Sequence, residues 1–378
     1  MKISDIEVIQ FKGTSRSVSD SEGHGHPGDE REVTVALTRI STDDGAEGYC
    51  MGGVPVGSLD LVRQALLGED PMYRELLWQR LHKWQRLHKG TLHDRVLAVV
   101  DMALWDLAGR CLEQPVYKLL GAYRTAVPAY ASTMCGDELD GGLDTPEAYG
   151  RYALQCKEKG YTAFKLHTWM PPIEWAPSPK MDVAACRAVR EAVGDDMRLM
   201  LDCYHHYSRE EALYIGRELE KLDYYWFEEP MMEESTSSYV WLSDQLDIPV
   251  LGPETAEGKM FTRAEWILRG ASDISRGGVS DVGGITPLVK VAHLAESHGV
   301  RMEVHGGGPG NLHVLCAMGI PGEYYERGLM HPFIDFEEVP PWLNSHLAPL
   351  DDEGNVHVSD LPGLGWDFNW EYIDTHRL

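Results

Sequence analysis

No run of apolar residues in this 378-residue chain approaches the roughly 20 needed to cross a bilayer. The opening MKISDIEVIQ lacks the apolar core of a signal peptide, so no membrane association is expected. Cysteine is sparse: the seven present are scattered and form no CxxC pair, which predicts neither a zinc site nor a disulfide framework and fits a reduced, cytoplasmic setting. Positive charge is also short. Lys and Arg number 34 against 60 Asp and Glu, a net −26, which argues against nucleic acid or an anionic membrane as partner. A small anionic substrate stays open, because a bound cation reverses the local field. Low-complexity tracts and linkers are missing, so the parts of the chain are expected to pack tightly.

The chain is long enough for one large domain and a smaller one. Residues 1–125 read as an α+β unit: a strand in KISDIEVIQF, a polar Gly/His-rich stretch at 17–30, a strand at 32–40, a turn at DDG and a strand-like EGYCM. Helical periodicity follows over about 59–84 and over 95–112, ending at Gln114–Pro115. From 126 to 344 strands and helices alternate, with strands at 127–132, 163–167, 199–202, 225–229, 249–254, 273–275 and 301–305. That alternation predicts a parallel α/β sheet, and seven or eight repeats predict a closed barrel. Residues 345–378, with a strand at GNVHVSD (354–360), are expected to return to the first unit.

Three acids end three of these strands: Asp202 in MRLMLD, Glu228 in YYWFEE and Glu254 in IPVLGPE. The gaps, 202 to 228 and 228 to 254, are both 26 residues, about one strand–helix–strand repeat. Consecutive strands of a parallel barrel would deliver all three to the rim where such barrels hold their active sites. Three like charges repel unless a divalent cation holds them, and carboxylate oxygens suit Mg²⁺.

Other strand ends carry acids and bases. Lys165 and His167, two apart on one strand, share a face. A Lys beside a divalent cation would have its pKa lowered, which suits a general base; an ordinary snorkelling Lys is the bland alternative. His305 ends RMEVH before Gly306-Gly307-Gly308 and could move a proton on the opposite substrate face. Tyr204, on the face of Asp202, could hydrogen-bond substrate, with His205 supporting it. Glu326, where an eighth strand would end, could bind a substrate carboxylate if protonated. His24 and His26 lie in the polar stretch, either a lid over the barrel or a solvated loop.

Over almost its whole length the chain resembles the mandelate racemase-like subgroup of the enolase superfamily. The segments that carry the resemblance are AVVDMALWDLAGRCLEQPVYKLLG (98–121), FKLH (164–167), LMLDCYHHYS (199–208), WFEEP (226–230), GPET (252–255), GGITPLVKVAHLAESHGV (283–300), MEVH (302–305) and PGLGWDFN (362–369). The resemblance implies an α+β capping domain on a modified (β/α)7β barrel, with Mg²⁺ on Asp202, Glu228 and Glu254. It implies removal of the proton α to a carboxylate, with the metal offsetting the ene-diolate charge. Two departures stand out. The family often has Lys-x-Lys where this chain has Lys165-x-His167. Its His–Asp dyad places the Asp five residues before a Gly-Gly pair, and that position here is Gly278. Glu303 or Asp281 could substitute; otherwise His305 is a weak base better suited to protonating a leaving group. The expectation is therefore a cytoplasmic, homo-oligomeric Mg²⁺-dependent dehydratase of a small carboxylate, an aldonate or aldarate, giving a 2-keto-3-deoxy acid. A racemase, epimerase or lactone cycloisomerase is the alternative, and a barrel that binds a carboxylate without turnover the remote one.

Overall fold

The computed structural model describes all residues except Glu22 and 320–323. The chain opens with a long antiparallel hairpin, β1 (Ile3–Ser19) and β2 (Gly25–Thr42), and β3 (Glu47–Met51) pairs with β2. The polar stretch at 17–30 is therefore not a loop. Ser17, Val18 and Ser19 pair with Pro27, His26 and Gly25, so pairing runs to within a few residues of the hairpin's tip. Composition hides these strands because this end of the hairpin stands clear of the capping core, so neither face needs apolar residues.

Helices α1 (Val56–Leu66), α2 (Arg74–Gln85), α3 (Asp94–Cys111) and α4 (Val116–Leu119) follow. The single helical run expected over 59–84 is split after Leu66, where Gly68 takes φ +79° and Pro71 cannot continue an α-helix. Helix α3 lies against β3 at Gly48, where a Cβ would come within 2.3 Å of the Ala103 carbonyl oxygen. Ile6, Ile40, Leu66, Trp78, Val100 and Leu104 fill the core between sheet and helices.

Eight parallel strands then form the barrel: β4 (Ala126–Thr133), β5 (Ala163–His167), β6 (Arg198–Asp202), β7 (Trp226–Glu228), β8 (Val250–Leu251), β9 (Ile274–Gly277), β10 (Arg301–Val304) and β11 (Tyr325–Met330). Hydrogen-bonded order runs β10-β9-β8-β7-β6-β5-β4-β11. Helices α5 (Pro146–Glu158), α6 (Pro179–Val193), α7 (Arg209–Lys221), α8 (Thr236–Ser243), α9 (Lys259–Arg269), α10 (Val279–Val282), α11 (Ile285–His298) and α12 (Pro309–Ala317) fill the crossovers. This is the (β/α)7β order. Local signals set the helix starts: Thr145 caps α5 ahead of a Pro, and Ser208 and Glu211 form a reciprocal capping box on α7. No helix among the described residues is long and apolar enough to cross a membrane.

The chain's end divides between both units. β12 (Asn355–His357) pairs antiparallel with β4, the first barrel strand, rather than with the capping sheet as expected. The capping sheet is instead met further on, after α13 (Trp370–Thr375), where Arg377 bridges Phe11 and the Leu378 amide bonds the Gln10 carbonyl.

Inside the barrel, one apolar layer contains Tyr130, Ala163, Met200, Trp226, Leu251 and Ile274, closed by Tyr324. Residues two further along a strand face the same way. The next layer toward the strands' C-terminal ends is therefore Ser132, Lys165, Asp202, Glu228, Arg276 and Glu326. A dry floor thus carries a buried polar layer directly above it.

Candidate active site

Register places the first groups side by side. His167 pairs with Asp202 across β5–β6, and Asp202 with Glu228 across β6–β7, so three strand ends stand level. Lys165, two residues before His167 on β5, reaches Asp202 Oδ2 (3.2 Å), Glu228 Oε1 (2.9 Å) and Glu326 Oε1 (3.0 Å). Arg276, fully buried on β9, bridges Glu228 Oε1 (2.5 Å), Glu254 Oε2 (3.1 Å) and Glu326 Oε2 (3.1 Å). Its role escapes sequence reading, because SRGG resembles an ordinary turn-forming segment until Ile274 is known to face the barrel interior.

The acids respond to this surrounding in different directions. Burial opposes charge on Asp202, but His167 and Lys165 outweigh it and hold the carboxyl well below the usual range. Burial pushes Glu228 up to about 7 despite Arg276 and Lys165. Burial, reinforced by Glu254 and Glu233, raises Glu229 well above its ordinary value. Glu326 goes the other way: against burial, Lys165 and Arg276 keep it ionised, so it acts as an acceptor and not as the protonated donor expected. Lys165 moves upward in this surrounding. Burial would depress it, yet Glu228 and Glu326 outweigh that and raise it well above 10.5. A divalent cation would push it in the direction first expected.

His167 Nδ1 lies 2.6 Å from the Thr133 carbonyl oxygen, to which it must donate, so Nε2 is the nitrogen turned to the site, 2.9 Å from Asp202 Oδ2. On the other flank His305 Nε2 lies 3.1 Å from Glu254 Oε1, and Nδ1 lies 2.8 Å from Asp281 Oδ2. The dyad missing at Gly278 is therefore present. Helix α10 turns immediately after β9 and brings Asp281 back, where its carboxylate also accepts the Gly278 amide (2.7 Å). A Cβ at Gly278 would meet the His305 carbonyl oxygen at 2.3 Å, so the small residue leaves room for this detour. Glu303 lies a layer below, in register with Arg276. Burial alone would depress His305, but Asp281 and Glu254 raise it to about 10.

The hairpin tip reaches this site. Tyr204 lies between His24 and His167, each ring centroid 4.7 Å away. Burial raises its hydroxyl pKa well above the ordinary value, and its ring face lies against both imidazoles. His26 turns into the tip, with Nε2 2.8 Å from Asp20 Oδ2. His205 stands 3.1 Å from Glu229 Oε2. Tyr204, His205 and Glu229 all take positive φ (+47°, +66°, +38°), a clustering of left-handed non-glycine backbone around one site.

The donor set fits a divalent cation. Asp202, Glu228 and Glu229 can each bring an oxygen within 4.8 Å of the others, and Glu254 joins Glu228 through Arg276. Glu229 Oε2 is buried and, apart from the ion pair with His205 Nε2, makes no hydrogen bond. Oxygen-only donors of this kind suit Mg²⁺.

Residues 148–372 match the enolase C-terminal domain-like family, and residues 28–121 match the mandelate racemase / muconate lactonizing enzyme N-terminal domain. The chain is 55% identical to a crystal structure of D-glucarate dehydratase from Agrobacterium tumefaciens complexed with magnesium, with TM-score 0.98 over 100% of this chain and 99% of that one. It is 30% identical to the arabinonate dehydratase of Saccharolobus solfataricus, over 89% of both chains. It is also 30% identical to the L-talarate/galactarate dehydratase of Salmonella typhimurium, over 89% of this chain and 80% of that one.

Proposed function

The chain belongs to the enolase superfamily, in its mandelate racemase-like branch, and we propose that it is a Mg²⁺-dependent lyase that dehydrates an acid sugar, with D-glucarate or a related aldarate as substrate. The observation that carries the reading is the pair of imidazoles flanking one carboxylate cluster. Strands β6 to β8 bring Asp202, Glu228 and Glu254, while His167 on β5 and His305 after β10 close the two sides. Two magnesium-bound or aldarate-directed relatives support the choice of metal and substrate class.

Asp202, Glu228 and Glu254 would hold the Mg²⁺, which supplies positive charge beside the substrate carboxylate as the α-proton leaves. His167, its tautomer fixed by Thr133, offers the Nε2 lone pair as base. His305 donates its Nε2 proton to the departing β-hydroxyl, and Asp281 compensates the imidazolium beforehand. Loss of the α-proton and the hydroxide, as water, leaves an enol that ketonises to the 2-keto-3-deoxy acid. Lys165 remains a cation among the carboxylates. All seven cysteines are free thiols, which supports a cytoplasmic setting.

Incubation of the protein and Mg²⁺ with a panel of aldarates and aldonates should release 2-keto acid from at least one aldarate; no keto acid from any acid sugar would overturn the assignment. The Asp281–His305 pair also favours a second reading, 1,1-proton transfer, since both flanks now carry a competent group. Exchange and inversion in D₂O without keto acid would establish that reading instead.

A further inference from the structure

Of Asp202, Glu228 and Glu254, only Glu254 lies outside a strand ladder. β8 stops at Leu251, Pro253 has no N–H to offer, and Glu254 stands on the loop that leads toward α9. Yet its carboxylate has to stay between Arg276 and His305. Two buried, oppositely charged side chains enclose that loop from its donor and acceptor sides. Glu233, 4% exposed, accepts the amides of Glu254, Thr255 (2.8 Å) and Ala256 (2.6 Å) and the Thr255 hydroxyl (3.0 Å). Arg263, fully buried on α9, donates to the carbonyls of Pro253 (3.1 Å), Glu254 (2.5 Å) and Ala256 (3.0 Å). Its Nε donates to the Arg276 carbonyl (3.0 Å), tying the loop to β9 as well.

Burying a carboxylate and a guanidinium is costly unless each is satisfied by hydrogen bonds. Here nearly all of those bonds go to one five-residue segment, Gly252–Ala256, and to the neighbouring strand. The Glu254 peptide is gripped at both ends, N–H by Glu233 and C=O by Arg263. We propose that Glu233 and Arg263 are positioning residues that preset Glu254 for the cation, acting through the backbone without touching it. The inference rests on the reading of Glu254 as a Mg²⁺ ligand.

Mn²⁺ titration of the full chain, followed by electron paramagnetic resonance after chelator treatment, tests this with a readout other than activity. Removing a group that orients a ligand costs about 10–100-fold in metal affinity. Glu233→Gln keeps the size of the side chain but turns an amide N–H₂ toward backbone donors; Arg263→Lys keeps the charge but loses the fork. Each is expected to weaken the Mn²⁺ Kd about tenfold or more with an unchanged circular dichroism spectrum, and Glu254→Gln to weaken it at least as much. Should Glu233→Gln not fold, Arg263→Lys decides. Wild-type Kd in the folded clamp variants alongside a lost site in Glu254→Gln overturns the clamp. Wild-type Kd in Glu254→Gln as well overturns the ligand assignment beneath it.

Discussion

At the scale of single residues, the site is a set of buried charges whose partners decide their roles. Asp281 holds His305 as an imidazolium and fixes which nitrogen faces the cluster. Replacing it with Asn removes the compensating charge and lets the amide present either a donor or an acceptor to Nδ1. Asp281→Asn is expected to lower kcat about 10²–10⁴-fold, the range of a general acid–base contribution, with KM changed far less. Exchange of the α-proton with deuterium should persist in that variant if His167 is the base, as proposed; loss of exchange together with turnover would make His305 the base. Glu228 behaves differently. It bonds Lys165, Arg276 and the Trp226 indole N–H (2.8 Å), so Glu228→Gln leaves two buried cations undercompensated. Relief of repulsion, the expectation from three acids alone, does not follow. Glu228→Gln should abolish turnover and weaken Mg²⁺ binding while circular dichroism stays native. Full activity and metal content in that variant would remove the carboxylate cluster from the mechanism.

At the scale of elements, one buried histidine ties the capping unit's last helix to the barrel. His313 on α12 accepts the Tyr117 amide through Nδ1 (3.0 Å), and burial pushes its pKa down to about 4. The unfolded chain, with an ordinary His near 6.5, binds more protons than the native state between those values. Its contribution is therefore fully present above pH 6.5 and is lost as pH falls toward 4, about 3 kcal/mol in all. Chemical denaturation at pH 7.5 and 4.5 should show that loss in the wild type and a smaller one in His313→Gln; equal losses would place the acid sensitivity elsewhere. Elements also mark where the sequence is readable. AFKLH coincides with β5, the expected LMLD falls within β6, and the expected 225–229 brackets β7, because an apolar run ending in an acid is a local pattern. Asp281 was reachable only as one of two substitutes, since it works from α10 by a chain reversal that strand periodicity does not encode. Arg276, Glu233 and Arg263 announce themselves even less. Their partners lie on neighbouring strands or loops, and only a folded barrel brings those together.

At the scale of the whole molecule, the capping hairpin reaches across to the barrel mouth, where its role as a lid can be tested. Its tip approaches two sides of that mouth: the His24 ring packs at a tilt against Tyr204 after β6, and Gly25 lies where a Cβ would be 3.1 Å from Leu329 on β11. Beneath it sit His167, Asp202 and Glu228, each no more than 2% exposed. Closure of this kind excludes water and strengthens the electrostatics inside. The pairing of residues 13–19 with 25–33 stands outside the capping core, so the hairpin can be shortened without opening that core. Replacing residues 17–27 by an Asn-Gly turn should leave the melting temperature within a few degrees of wild type and the Mn²⁺ Kd within about twofold, because Asp202, Glu228 and Glu254 all lie on the barrel. Turnover of the aldarate should nevertheless fall at least about tenfold in kcat/KM, with KM rising, as substrate loses its cover. His24→Ala, which removes only the ring over Tyr204, should reproduce part of that loss. Unchanged kcat/KM in the shortened chain would mean that the hairpin is not a lid and that the mouth is closed by the barrel loops alone.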